Sequence, residues 1–350
     1  EKYLKRAQVW HQVDIPVMDI MAGPQSDFAV PFDSEVTCTF EEPKEKPAGV
    51  NPKFNCRNEA GESIRVKYGS PEVYSEVAAT RLFWALGFYA DEMYPVRLKC
   101  LNCPPNPADP KKDDERATRV IEDAVIERKF PGIVLETKTD EGVNWKEFEK
   151  IDEEEGGASR RDRDALKLLA TFVQDADSKP DNQRLACYEQ DFRNAGGSGE
   201  PFCTKPVVMI QDLGSTFGSG GVASISKMDY KGWRDIEVFN TAEEAKQLVK
   251  TDQKFCVGNV VSSMGATKGT VDLGLTHPFI GEEGRQFLSE LMNQLTHQQI
   301  RDLFRVSRID RMDQHVGSDG DERKITADDW ALVFEQKRAK INEERCAPKQ

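Results

Sequence analysis

Asp175-Ala-Asp-Ser-Lys-Pro-Asp-Asn-Gln-Arg-Leu185, a Gly/Ser-rich insert, and then Val207-Val-Met-Ile-Gln-Asp-Leu-Gly214 form the stretch whose reading decides the fold. A carboxylate at Asp177 is followed two residues on by Lys179 and three further by Asn182. A second carboxylate, Asp212, follows an apolar run. Carboxylate, ammonium and amide in that order supply a base and two metal ligands. A plainer reading competes, because Asp, Asn and Pro favour turns on their own account and 177–182 alone could be an Asx-type turn before a strand. Asp212 at the end of an apolar strand shifts the balance to the chemical reading.

Upstream, residues 1–32 carry Pro16, Pro24 and Pro31 without a sustained period and read as an N-terminal extension packing on the body. Glu35 to Phe40 alternates like a strand, and Lys53–Arg57 with Ser63–Tyr68 reads as a hairpin bending at Gly61, so an antiparallel sheet begins here. Pro71 to Gly87 is a helix, with Ser70 as N-cap, Pro in the first turn and Gly87 as the stop. Val73, Val77, Leu82 and Trp84 give it one broad apolar face, with Glu72 and Glu76 one turn apart on another. Tyr94–Cys100 and Val120–Arg128 are strand-like, and a boundary between two lobes falls near 130. Helical spacing returns over 163–173, 242–250, 282–295, 297–306 and 326–343, with Thr296 and Thr326 as N-caps. Strands with one helix followed mostly by helices predict an α+β protein.

The spacing of Asp177, Lys179 and Asn182 resembles the D-x-K-x-x-N catalytic loop of the protein-kinase-like superfamily, and Asp212-Leu-Gly214 resembles its D-F-G element. The resemblance implies a bilobal fold: an N-lobe over 33–130 built on a small antiparallel sheet with one helix, and a mainly helical C-lobe over 131–350. It further implies a lysine on the third strand, held by a glutamate of the next helix and reaching the ATP phosphates. Lys67 in Ile-Arg-Val-Lys stands in that place, with Glu76 nine residues later and Glu72 as a competing partner. On this footing Asp177 is the base, Lys179 offsets charge on the moving phosphoryl, and Asn182 and Asp212 bind Mg²⁺ or Mn²⁺.

The departures from that pattern are specific. No G-x-G-x-x-G precedes Lys67; Ala48-Gly-Val-Asn-Pro-Lys-Phe54 fills the place, similar to the G-x-x-P-K loop of HipA-like kinases, with Gly49 and the following backbone left to cover phosphates. Asp175 stands where the family carries His, no A-P-E follows Gly214, and the insert stretches Asp177 to Asp212 to 35 residues. The chain is therefore similar to atypical members, the HipA-like and secretory-pathway kinases, and to bacterial proteins carrying the same P-K-F, V-K-x-G and D-S-K-P texts. The implied activity is ATP/Mg-dependent transfer of a phosphoryl group to a hydroxyl acceptor, a protein or a small molecule. The alternative is a pseudokinase, or a nucleotide-binding scaffold, that keeps the fold without turnover.

Bulk properties bound these readings. A net charge of −13 over 350 residues argues against a duplex-coating nucleic-acid binder. No run of about 18 apolar residues is present to span a bilayer. The chain begins at Glu1, from which a processed or trimmed N-terminus is expected. Eight cysteines fit disulfides in an exported, periplasmic setting over a cytoplasmic one, with Cys187 and Cys203 expected to pair across the Gly-Gly-Ser-Gly turn at 196–199. Cys100-Leu-Asn-Cys103 lacks the second pair that a structural zinc site needs. His11, His277, His297 and His315 are scattered, and 313–321 has no EF-hand register.

Overall fold

Alternation of apolar and polar side chains folds the first third of the chain into a barrel. The computed structural model describes residues 2–26, 29–44, 51–135, 142–193, 202–218, 228–248, 255–262, 274–317 and 322–346. Strands β1 (Glu35–Phe40), β2 (Lys53–Asn58) and β3 (Ser63–Lys67) lead through helix α1 (Glu72–Ala85) to the long strands β4 (Glu92–Cys103) and β5 (Ala117–Arg128). They close in the order β1-β2-β3-β5-β4. Phe40, Phe54, Cys56, Ile64, Val66, Tyr94, Leu98 and Ile126 fill the interior. With a side-chain period of two, the intervening Arg65, Lys67, Val125 and Glu127 must face outward from the barrel.

The expected antiparallel sheet is thus present in part. Four pairings are antiparallel, but β1 closes on β4 in parallel, Cys38 opposite Cys100. Register shifts in β4 between Val96 and Leu98 and between Cys100 and Cys103 accompany that closure, which leaves no strand edge open. Such long-range pairing leaves no signal in local sequence.

Helix α1 begins at Glu72 with Pro71 in the N-cap position, one residue later than expected, while the Ser70 hydroxyl accepts from the Glu72 amide at 3.3 Å. It ends in a Schellman closure: Gly87 N–H reaches Trp84 O and Phe88 N–H reaches Phe83 O, with Gly87 at φ +83. A Cβ at Gly87 would also stand 2.2 Å from the His11 carbonyl, so glycine is required twice over. The expectation of one buried face is corrected. Glu72, Glu76, Thr80 and Arg81 are buried too. The cause is the N-terminal segment and the 212–217 turn, which cover the polar side: Arg81 donates to Ala22 O, and Ser75 to Gly214 O. That N-terminal segment packs on the body as expected, burying Leu4, Ala7, Val9, Ile15 and Ile20, and Gln8 bridges to Val207.

The rest carries six α-helices and several short strands among the described residues. Strand β6 (Ile133–Val134), helix α2 (Arg160–Phe172) and strand β7 (Gln183–Cys187) are followed by a short ribbon, β8 (Phe192–Arg193) with β9 (Phe202–Cys203), and by β10 (Pro206–Ile210). β10, β7 and β6 form a three-stranded antiparallel sheet. Helices α3 (Tyr230–Asp235) and α4 (Ala242–Leu248), the pair β11 (Cys256–Val257) and β12 (Phe279–Ile280), and helices α5 (Glu282–Asn293), α6 (His297–Val306) and α7 (Ala327–Glu343) complete the chain. Thr296 and Thr326 cap α6 and α7 with capping boxes, as expected. Phe172, Phe217, Trp233, Phe304, Trp330 and Phe334 form one aromatic core beneath α2.

Disulfides join Cys38–Cys56, Cys100–Cys103, Cys187–Cys203 and Cys256–Cys346, and no free cysteine remains among the described residues. The 187–203 pairing matches the expectation, while the turn at 196–199 lies outside the described residues. No described helix is long and apolar enough to cross a membrane. Loop-closure entropy ranks the four bonds, because Cys256 and Cys346 are 90 residues apart and Cys100 and Cys103 only 3. Replacing both members of the 256–346 pair by serine is expected to cost about 4–5 kcal/mol in denaturant unfolding, against about 1–2 kcal/mol for the 100–103 pair. Equal losses would show that loop length does not rank these bonds.

Candidate functional site

Two outward-facing strand residues, one helix residue and one turn residue make the charged centre. Lys67, the last residue of β3, is 5% exposed, and its ammonium lies 2.6 Å from Glu76 Oε1 on α1. Glu127 Oε1 on β5 is at 3.4 Å, and Asp212 Oδ1, two residues past the end of β10, is at 3.5 Å. Burial opposes the charge on Lys67, yet the three carboxylates together hold its pKa well above the ordinary lysine range. Burial pushes the Glu76 carboxyl up, with Lys67 pulling against that shift. Glu127 has burial working against it as well, but Lys67 and Lys129 bring it well below the usual carboxylate range. Lys129 itself bridges Glu127 at 2.7 Å and the buried Asp91 at 2.9 Å.

The competition between the two glutamates of α1 is decided by geometry. Glu76 holds Lys67, while Glu72 accepts from the Asn51 side-chain amide. Glu72 also lines the approach to Gly214, where an added Cβ would meet its Oε2 at 3.1 Å.

The 175–182 loop links α2 to β7. Asp177 and Lys179 form an ion pair at 2.6 Å, and both are partly exposed. Asn182 is buried, and its Nδ2 donates to the Asp177 carbonyl at 2.5 Å, which closes the loop on itself. The Gln211 amide donates to Asn182 O at 2.9 Å, so the loop is tied directly to the residue before Asp212. Asp212 takes φ +57, a left-handed conformation that aspartate tolerates better than most residues, and its side chain is 38% exposed. Among the described residues, no group of three His, Cys, Asp or Glu side chains is arranged to hold a metal by itself.

Lys67, Glu76 and Asp212 therefore meet in one network, and Asp177, Lys179 and Asn182 join it through a backbone bond. Gly49 lies outside the described residues. A cavity of ≈310 Å³ opens on this centre, lined by Lys53, Arg65, Lys67, Glu127, Lys129, Arg184, Gln211 and Asp212. The sequence reading missed Glu127, and it took Lys53 only as part of the Ala48–Phe54 stretch without singling out its side chain. Glu127 had one usable signal: in Ala124-Val-Ile-Glu-Arg128 it shares the phase of Val125 and not of the core residues Ala124 and Ile126. Its position near Lys67 depends on strand register, which pairs Lys67 with Val125 and Arg65 with Glu127.

No protein-family model and no curated protein matches the chain. Among solved structures it is similar to the crystal structure of a Helicobacter pylori proinflammatory kinase, CtkA, at 12% identity and a TM-score of 0.40, over 89% of this chain and 96% of that one.

Asp175 adds a titration signature. It is fully buried, and burial, reinforced by Asp177 and Asp212, raises its pKa to about 8. An unfolded aspartate loses its proton near pH 4, so between about 4 and about 8 the folded state binds the extra proton. This residue's contribution therefore lowers stability as pH rises through that window. Asp175→Asn, which keeps the shape and removes the charge, is expected to flatten the slope and raise the denaturation midpoint at pH 8. A parental slope in that variant would contradict the assignment.

Proposed function

We propose that the chain is an atypical kinase, a phosphotransferase that moves a phosphoryl group from ATP to a hydroxyl acceptor. The observation that carries this reading is the contact of Lys67 with both Glu76 and Asp212, which joins the barrel to the segment bearing the 175–182 loop. A cation so placed serves a phosphate chain entering between two lobes, 33–130 and 131–350, with 1–32 as an extension packed behind α1.

Each residue then has a role that its surroundings support. Lys67 meets the α and β phosphates, and Glu76 fixes its direction. Asp177 orients the acceptor hydroxyl and takes its proton as the oxygen attacks the terminal phosphorus and the bond to the leaving ADP breaks. Lys179, already paired with Asp177, offsets charge on the phosphoryl in transit. The donor chemistry of Asn182 and Asp212 fits Mg²⁺ or Mn²⁺: Asn182 spends its amide nitrogen on the Asp177 carbonyl, which leaves oxygen for a cation, and Asp212 adds a partly exposed carboxylate. Two protein oxygens suffice, because such an ion takes its remaining ligands from phosphates and water, and bound there it would neutralise charge between the phosphates. Four disulfides support export to an oxidising compartment.

The test is transfer from γ-labelled ATP to a panel of protein and small-molecule hydroxyl acceptors, the chain itself included. Asp177→Asn is expected to lower transfer by at least about 10²-fold, the usual worth of a positioned base, with ATP affinity largely kept. Transfer retained in that variant would remove Asp177 from the mechanism. ATP bound by the parent with no transfer to any acceptor would favour the pseudokinase.

A further inference from the structure

A second cavity, of ≈530 Å³, shares no lining residue with the one on Lys67. Two of its walls are nonetheless bonded to the 175–182 loop or to the strand that leaves it. On one side Trp145, Lys146 and Glu149 follow Val143, whose amide donates to Gln183 O at 2.8 Å. On the other, Leu275 of the 274–279 wall donates its amide to Ser178 Oγ at 2.8 Å, and Ser178 is the neighbour of Asp177. Arg160, Asp164 and Lys167 of α2, the helix that feeds the loop, supply the third side.

The lining combines apolar surface with charge. Trp145 and Leu275 are buried, but Leu248 and Phe279 are exposed, and Phe255 lies against Phe279 with ring centroids 6.2 Å apart. Exposed apolar side chains gathered on one hollow mark an interaction site where scattered ones do not. Phe279 is also held firmly: it opens β12, which pairs with β11, and the Cys256–Cys346 bond ties β11 to the chain beyond α7. Arg160 stands 4.7 Å from the centroid of the Phe255 ring, is exposed, and makes no hydrogen bond among the described residues. Asp164, the carboxylate it faces at 3.6 Å, is buried and already accepts from the Gly281 amide and from Lys167. Glu149 is likewise taken by Lys167, at 2.6 Å. A stacked guanidinium keeps its fork for a planar oxyanion, and three cations line the cavity against two carboxylates in a chain of net charge −13.

We propose, resting on the phosphotransfer reading, that this cavity docks a segment of an acceptor protein, with an apolar side chain against Phe255 and Phe279 and the carboxylate of a neighbouring acidic residue paired with Arg160. The acceptors are then proteins rather than small molecules. A trough whose rim lies in water suits a chain passing over it, whereas a small ligand needs a pocket that encloses most of its surface. Aromatic and arginine side chains are the usual anchors of such contacts. The bonds from the walls to Ser178 and Gln183 keep a docked segment beside the loop that presents Asp177. Docking therefore raises the effective concentration of a nearby hydroxyl at that carboxylate and adds no group to the chemistry.

Short serine-containing peptides with randomised flanks, arrayed and offered to the parent, Phe279→Ser and Arg160→Glu, test this through two readouts: binding without nucleotide, and label received from γ-labelled ATP. MgATP affinity, the thermal midpoint that shows each variant to be folded, and binding of phenylpropionate, a free apolar carboxylate, are measured alongside. The parent is expected to select and label peptides that carry a bulky apolar residue with Asp or Glu close by. Phe279→Ser should weaken the selected peptides about ten-fold or more, raising KM with kcat kept. Arg160→Glu should exchange the preferred Asp or Glu for Lys or Arg, a reversal that a merely structural arginine would not give. MgATP affinity should stay parental in both, since neither residue lines the cavity on Lys67. Binding without that selection, or a selection unchanged in Arg160→Glu, overturns the proposal. No peptide bound or labelled, while label passes to a small hydroxyl acceptor, overturns it too and leaves the phosphotransfer reading standing. Phenylpropionate bound as tightly as the selected peptides makes the cavity a small-carboxylate site and also overturns it. Peptides selected as expected but never labelled remove the acceptor role, and if no other acceptor takes label the phosphotransfer reading falls with it.

Discussion

A lysine ammonium withdrawn from water is the constraint on which this structure turns. Lys67 is tolerated at 5% exposure because Glu76, Glu127 and Asp212 arrive from three other elements, each within hydrogen-bonding or ion-pairing reach. Taking each ion out of water costs several kcal/mol, and the Coulombic return seldom exceeds that cost, so a buried network of this kind is poor evidence for stability. It does specify geometry. β3 and β5 must pair in one register, α1 must present Glu76 rather than Glu72, and the turn after β10 must hold Asp212 at a positive φ.

The scaffold around the network supplies what the network does not. Barrel closure removes open edges from the sheet that carries Lys53, Lys67 and Glu127, and the N-terminal segment buries the side of α1 that would otherwise be wet. On the opposite side, α2 rests on the aromatic core of Phe172, Trp233 and Phe304, and the loop it feeds is closed by the bond from Asn182 to the Asp177 carbonyl. Of the polar groups with perturbed titration, Lys53 sits on a paired strand and Asp175 is buried at the start of a loop that is closed on itself.

Much of this was legible in the sequence because it rests on local chemistry. Alternation gave β1, β2 and β3; Ser70, Gly87, Thr296 and Thr326 marked helix ends; and the spacing of Asp177, Lys179, Asn182 and Asp212 singled out residues that the structure gathers with Lys67 and Glu76. What escaped depends on distant partners. The parallel pairing of β1 with β4 joins residues about sixty positions apart. Burial of Glu72 and Glu76 follows from segments on either side of α1 in sequence, and Lys53 faces Lys67 only in the observed register. In the small sheet of β6, β7 and β10 the apolar run of β10 was legible but the two-residue β6 was too short to show, and helix α3, six residues with a central Gly232, has too few turns to show a period.

The most direct test of the central claim, that Lys67 and Asp212 belong to one site for a metal-bound nucleotide, is the thermal midpoint with ATP plus Mg²⁺ or Mn²⁺. At a ligand concentration 100 times the dissociation constant, linkage stabilises the folded state by about 2.7 kcal/mol, a shift of several degrees. The account predicts a rise that needs the metal and disappears in both Lys67→Ala and Asp212→Ala. A parent protein whose midpoint does not move, or a rise that survives in both variants, would contradict it.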